Sequence, residues 1–398
     1  MKLFFYTLLI SLILSSTLWA KDLKTGVWRF EIRQAQAVIP FLMEINFNGK
    51  RVEAILYNGK EKIDLKDIIY AGNKLSIPLQ LYEASLDLTV DSPDSISGVW
   101  TRHNKRPKQT ITVNGKHGIN ERFLGEKKLS TINLSGKWSM TLTETDGKSE
   151  AAIGIFNQNG NYVSGSILTP TGDYRFIEGF VSANQIEMAT FDGVYNFLIK
   201  ASGNADKIEG EILSSSKTKF VAFRNEEAKL PDAYAQAQIT KIDFNFPDLS
   251  GKKISLKDPQ FKNKAVIIQI FGSWCPNCID EVNFLIPWYK ENQKRGVEIV
   301  ALSFERSFTD DDAKRQLIRF KKKKNLPYTL LLAGTTSDDK PMDKIPGLKN
   351  FAAFPTTIFL NKNHEVVKVH SGFTGPGTGL YYEAFKKDFN LLMDSILK

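Results

Sequence analysis

The chain has 398 residues, 53 basic and 44 acidic side chains, a net charge of +9 and only two cysteines. That length points to two or three domains rather than one. Two cysteines cannot staple so long a chain, which excludes a disulfide scaffold, and lysines scattered among acids do not form the basic face of a nucleic-acid binder.

Met1-Lys2, an apolar run from Leu3 to Leu14 and Ser15 to Ala20 before Lys21 follow the order of a secretory signal covering residues 1–20. The apolar run is shorter than the ~20 residues of a spanning helix, so an exported protein without an integral span is expected once the signal is cut. A retained anchor is the alternative. No cysteine follows the signal, which argues against a lipid anchor.

Residues 21–228 carry short alternating apolar runs broken by Asn48-Gly49, Asn58-Gly59, Asn114-Gly115, Asp146-Gly147 and Asn159-Gly160, which read as hairpin turns of an all-β region. The region repeats. Gly26-Val27-Trp28 is echoed by Gly136-Lys137-Trp138, Asn48-Gly49 by Asn159-Gly160, Asn73 by Asn184, and Ile96-Ser97-Gly98 by Ile208-Glu209-Gly210. The near-constant offset predicts a duplication, 21–130 and 131–228, each half a barrel or sandwich of about six strands. Residues 229–241 read as a linker. From 242 to 398 strands alternate with helices: strand 266–271, helix 275–295, strand 297–304, helix 310–324, strand 328–332, a hairpin 356–360 and 366–370, and a closing helix 380–397. This is α/β with a mixed sheet.

Both cysteines stand in Trp274-Cys275-Pro276-Asn277-Cys278, between an apolar strand and a helix. A bridge across two residues closes too small a loop to stabilise much, so a reversible redox switch is the better reading. Cys275 sits where unpaired amides and the helix dipole favour a thiolate. It would attack a partner's disulfide, and Cys278, one turn on, would resolve the mixed disulfide. Pro276 suits the first turn because its missing N–H would be unpaired anyway. Glu281 lies on the same helix and is a candidate proton acceptor for Cys278; the alternative is an exposed first-turn glutamate that complements the dipole. Pro355, in Phe354-Pro355-Thr356, is either a turn or edge residue or a cis-proline set against the dithiol.

From Ile242 to Lys398 these motifs resemble the TlpA/ResA-like thiol-disulfide oxidoreductases, a branch of the thioredoxin fold. The resemblance rests on Val266 to Phe271, Gly272 to Cys278, Glu281 and Phe354-Pro355-Thr356-Thr357. It implies an exposed Cys275, a buried Cys278, a cis Pro355, and Trp274, Pro276 and Thr356 along the substrate-binding edge. It also implies a periplasmic or envelope location in a bacterium, often a reductant's role in cytochrome c maturation. The partners would be protein thiols or disulfides and an upstream electron donor, with no metal or organic cofactor. Three features depart from the family pattern. Gln269 replaces a strand aspartate or asparagine, Asn283 replaces a proline, and Pro276-Asn277 is an unusual pair between the cysteines.

Other readings are weaker. Zinc would need a second ligand pair, and His103, His117, His364 and His370 are dispersed. A peroxiredoxin would carry threonine where Gly272 stands. Gly372 to Gly379 lacks the Lys-Ser or Lys-Thr of a phosphate loop and reads as the lead into the last helix. The rival from another class is a ligand-binding β module with an ancillary redox domain, although Trp28, Trp100 and Trp138 read as core.

Overall fold

Alternating burial along the N-terminal strands closes them into two antiparallel barrels. The computed structural model describes residues 23–79, 82–103, 108–230, 242–307, 309–336, 344–348 and 351–398. The expected signal at 1–20 and most of the expected linker, 231–241, lie outside the described residues.

The first barrel is a meander of β1 (Gly26–Arg33), β2 (Val38–Asn48), β3 (Arg51–Asn58), β4 (Glu61–Ala71), β5 (Lys74–Leu79), β6 (Ala84–Ser92), β7 (Ser95–Arg102) and β8 (Gln109–His117). β1 pairs with β8 to close it. The second contains β9 (Gly136–Thr143), β10 (Ser149–Asn159), β11 (Tyr162–Thr169), β12 (Gly172–Asp173), β13 (Ile177–Ser182), β14 (Gln185–Phe191), β15 (Asn196–Gly203), β16 (Lys207–Leu213) and β17 (Lys217–Arg224). β10 pairs with both β9 and β11, so eight strands form the ring, with the two-residue β12 appended to β11. Each barrel thus has eight strands rather than six, because tight turns join strands that read as single runs. Asn114-Gly115 is not a turn. It lies inside β8, where a Cβ on Gly115 would stand 2.5 Å from the Phe30 ring.

The repeated residues occupy equivalent places. Trp28 and Trp138 are fully buried, and their indole N–H groups donate to the carbonyls of Lys24 and Leu134, each four residues back. Gly26 and Gly136 share φ values of 110° and 112°, open to glycine and strained for other residues. A Cβ on Gly98 or Gly210 would meet a carbonyl of the preceding strand at 2.2 or 2.3 Å. The barrels meet along β2, β14 and β15. There Phe41 lies 4.3 Å from Phe191, and Arg122, between the barrels, donates to the carbonyls of Tyr57 and Ala189.

The C-terminal domain holds a short hairpin of β18 (Asn245–Pro247) and β19 (Lys253–Ser255), absent from the sequence reading, and a mixed sheet ordered β22-β21-β20-β23-β24. β20 (Ala265–Phe271), β21 (Val297–Glu305) and β22 (Thr329–Thr335) run parallel; β23 (Thr356–Leu360) pairs antiparallel with β20, and β24 (Val366–Ser371) pairs antiparallel with β23 and so runs with β20. Every residue of β20 is buried, as its unbroken apolar run requires of a strand covered on both faces. α1 (Pro276–Asn292), α2 (Asp310–Lys324) and α3 (Leu380–Leu397) complete it. α2 starts on Thr309, whose hydroxyl accepts from the Asp312 N–H, and ends on a left-handed Asn325.

Candidate active site

The dithiol forms where β20 turns into α1. Cys275 is the N-cap of α1, and its sulfur accepts from the Cys278 N–H at 3.3 Å. Both cysteines are free thiols. The turn before them is held from β21: Glu305 accepts from the Ser273 N–H at 2.9 Å and the Ser273 hydroxyl at 2.7 Å, while Trp274 donates its indole N–H to the Phe304 carbonyl. Opposite, the Phe354–Pro355 bond is cis, and the Cys275 thiol faces the Phe354 carbonyl at 3.7 Å.

Cys278 is fully buried, and burial, then the hydrogen bond and charge of Cys275, push its thiol well above the usual value. Below it Glu281 is 3 % exposed, so it is not the solvated first-turn glutamate of the alternative reading. Its carboxylate accepts from the Gln269 amide at 2.7 Å and the Thr357 hydroxyl at 2.6 Å, two residues directly paired across β20 and β23. Burial outweighs both hydrogen bonds and lifts Glu281 to about 7. Gln269, read from sequence as the loss of a strand carboxylate, is therefore a donor that fixes the helix carboxylate. Its own carbonyl oxygen has no partner.

Two expectations about exposure are corrected. Cys275 is 4 % exposed rather than open, and Pro276 is buried. The cause is the barrels: Tyr82, Val194 and Tyr195 pack into the same apolar cluster as Cys275 and Cys278. The first six residues of α1 are all buried, as expected of a helix covered on every side. Thr356 is also buried, with its hydroxyl on the Ala353 carbonyl at 2.7 Å. Trp274 remains half-buried, with the Arg306 guanidinium 3.5 Å from its ring.

Arg175 locks this arrangement. Fully buried and in the left-handed region at φ 54°, it binds both oxygens of Asp280 on α1 at 2.8 and 3.0 Å, Asp192 of the second barrel at 2.5 Å and Glu61 of the first at 2.5 Å. One guanidinium thus joins all three units. Asp173 accepts from the Gly375 N–H, and its carbonyl accepts from the Asn277 amide at 3.1 Å. Burial raises Asp173 to about 7. The glycine run 372–379 serves this contact. A Cβ on Gly377 would lie 2.5 Å from the Arg175 carbonyl, and one on Gly372 2.6 Å from Thr171. Asp173, Arg175, Asp192, Tyr195, Asp280 and Glu305 were not singled out from the sequence; the glycine run was the one local sign of a close backbone approach.

Among the described residues no three His, Cys, Asp or Glu side chains converge as a metal site, and no helix is long and apolar enough to cross a membrane. His370 sits near Phe385, and burial lowers it to about 4.

A mixed sheet with a Cys-x-x-Cys at a helix N-terminus and a cis-proline opposite it defines a thioredoxin-fold dithiol domain. The AhpC/TSA family model matches residues 239–369. Thiol-disulfide oxidoreductase ResA of Bacillus cereus is 32% identical over 133 residues, 33% of this chain and 68% of that protein. Its counterpart in Halalkalibacterium halodurans is 28% identical over 138 residues, 35% of this chain and 70% of the relative. Among solved structures, a thioredoxin-family thiol:disulfide interchange protein from Chlorobium tepidum TLS aligns at 20% identity, over 40% of this chain and 97% of its own, with a TM-score of 0.31. The chain belongs to the ResA thiol-disulfide oxidoreductase family through its C-terminal part, and that domain is a thiol-disulfide oxidoreductase.

Proposed function

We propose that the protein is an exported disulfide reductase of the bacterial periplasm or envelope, acting on protein partners through Cys275 and Cys278 without a metal or organic cofactor. The observation that carries this reading is the pairing of a helix-capping thiol with a buried thiol on the same helix, whose proton is felt by the buried Glu281, a carboxyl lifted to about 7.

In the first step the Cys275 thiolate attacks one sulfur of the substrate disulfide. A mixed disulfide forms, the substrate S–S bond breaks, and the released thiolate takes up a proton. Glu281 then accepts the Cys278 proton, and the Cys278 sulfur attacks Cys275. The second substrate sulfur leaves as a thiol. Two electrons have passed to the substrate, and the Cys275–Cys278 disulfide awaits an upstream dithiol donor. Gln269 and Thr357 hold Glu281, Glu305 holds the turn, and Pro355 and Trp274 border the sulfur that the substrate meets.

Electron flow toward the substrate is the direction the ResA-like resemblance implies, and the potential of the Cys275–Cys278 pair tests it. The barrels fit this function as a cover that restricts access to Cys275, which favours one working unit over a β module with an ancillary redox domain. Thiol-dependent insulin reduction by the full chain tests the assignment. Turnover is expected for the wild type and background for Cys275→Ser; equal rates would overturn it.

A further inference from the structure

A cleft of about 450 Å³ opens between the barrels and the dithiol domain. Part of its lining is Asn277, the second of the two residues between the cysteines, with Ala353 and Phe354 of the cis-proline loop. That is the loop whose carbonyl faces the Cys275 thiol. The other walls are barrel residues, among them Arg102, Tyr195 and Asn196. Such a volume suits a small molecule or a few residues of extended chain; a folded surface does not enter it.

Among the described residues only two charged side chains line the cleft, Arg102 and Asp173. Asp173 is engaged by the Arg175 and Gly375 amides, and burial favours its neutral form. Arg102 lies 5.9 Å from the Trp100 ring, and its Nε is buried without a hydrogen-bond partner. Burial and the charge of Arg306 both press it below its usual value, and no ion pair offsets this among the described residues. At the dithiol end Asn277, 5 % exposed, spends its amide on the Asp173 carbonyl and leaves its Oδ1 without a donor. The cleft is therefore lined by a half-buried guanidinium that has no ion pair among the described residues and, next to Cys278 in the chain, by an amide whose oxygen is buried without a donor. Buried groups left this way are costly unless a ligand satisfies them.

We propose that the cleft is the substrate site of the dithiol and selects a disulfide carried on an extended segment with a nearby carboxylate, the carboxylate pairing with Arg102. This rests on the reductase reading. An acidic peptide around a cysteine and a small disulfide such as oxidised glutathione share this chemistry.

Steady-state reduction by the full chain separates the possibilities. The substrates are three peptide disulfides with Glu, Gln or Lys flanking the cysteine, and oxidised glutathione. The wild type is expected to favour the Glu peptide over the Lys peptide by about tenfold or more in kcat/KM, the scale of one charged hydrogen bond. Arg102→Gln should bring the ratio close to one, and Arg102→Glu should reverse it. Both ratios are read within one preparation, so partial misfolding does not affect them. A higher kcat/KM for glutathione disulfide than for the Glu peptide assigns the cleft to small disulfides, and the converse assigns it to acidic peptides. Equal rates for all three peptides, or an unchanged ratio in both variants, overturn the proposal. Turnover of no disulfide at all, insulin included, overturns the reductase reading as well.

Discussion

Glutamine in place of Glu281 keeps the shape of the side chain and removes its charge. Burial moves the carboxyl from 4.5 to about 7, and at 1.36 kcal/mol per pH unit the ionised form costs the folded state about 3 kcal/mol. Between those two values the folded protein binds this proton more tightly than the unfolded chain does. The contribution of Glu281 to stability is therefore fully present below pH 4.5 and is lost as pH rises through 7. Urea unfolding of wild type and Glu281→Gln, at pH 4.5 and again at pH 8, should show the difference shifting by about 3 kcal/mol in favour of the variant. The same variant should exchange disulfides about 10²-fold more slowly at pH 8, the scale of a general base, and lose the rise in rate near pH 7. A stability difference that stays flat from pH 4.5 to 8 would refute the buried carboxylate, and an unchanged pH-rate profile would remove it from the mechanism.

Cys278→Ser should accumulate a mixed disulfide through Cys275, seen as a partner-sized mass shift that dithiothreitol reverses; Cys275→Ser should give none. Arg175→Met leaves Asp192 and Asp280 buried without their cation, so chemical denaturation should register a loss of about 3–5 kcal/mol. Cys275 should at the same time alkylate faster as the barrels loosen. Gly98→Ala and Gly210→Ala should each cost on the order of 1–3 kcal/mol, because both Cβ atoms would meet a carbonyl at the same place in the repeat.

Much of the C-terminal domain was legible because its signals are local. The buried run of β20, the extent of α2 and the hairpin of β23 and β24 are each set within a few residues. The duplication was legible too, since Gly26 and Trp28 face the same constraints as Gly136 and Trp138. Strand number was not, because an Asn-Gly pair marks a turn at Asn48 and a ring contact at Asn114, and only the packed barrel separates them. The exposure of Cys275 was misread for the same reason. It is covered by a cluster that includes Tyr82, Val194 and Tyr195, far away in the chain, and the barrels are tied to α1 by an Arg175 to Asp280 pairing that no spacing announces. Glu281 was placed on the right helix, yet its environment depends on Gln269 and Thr357 meeting across two strands.

Redox titration of the full chain, with thiols counted by alkylation and mass, tests the central claim most directly. The account predicts one two-electron transition that removes both thiols together, at a potential closer to about −270 mV than to about −120 mV. Two thiols that stay independently alkylable across the whole range would contradict it.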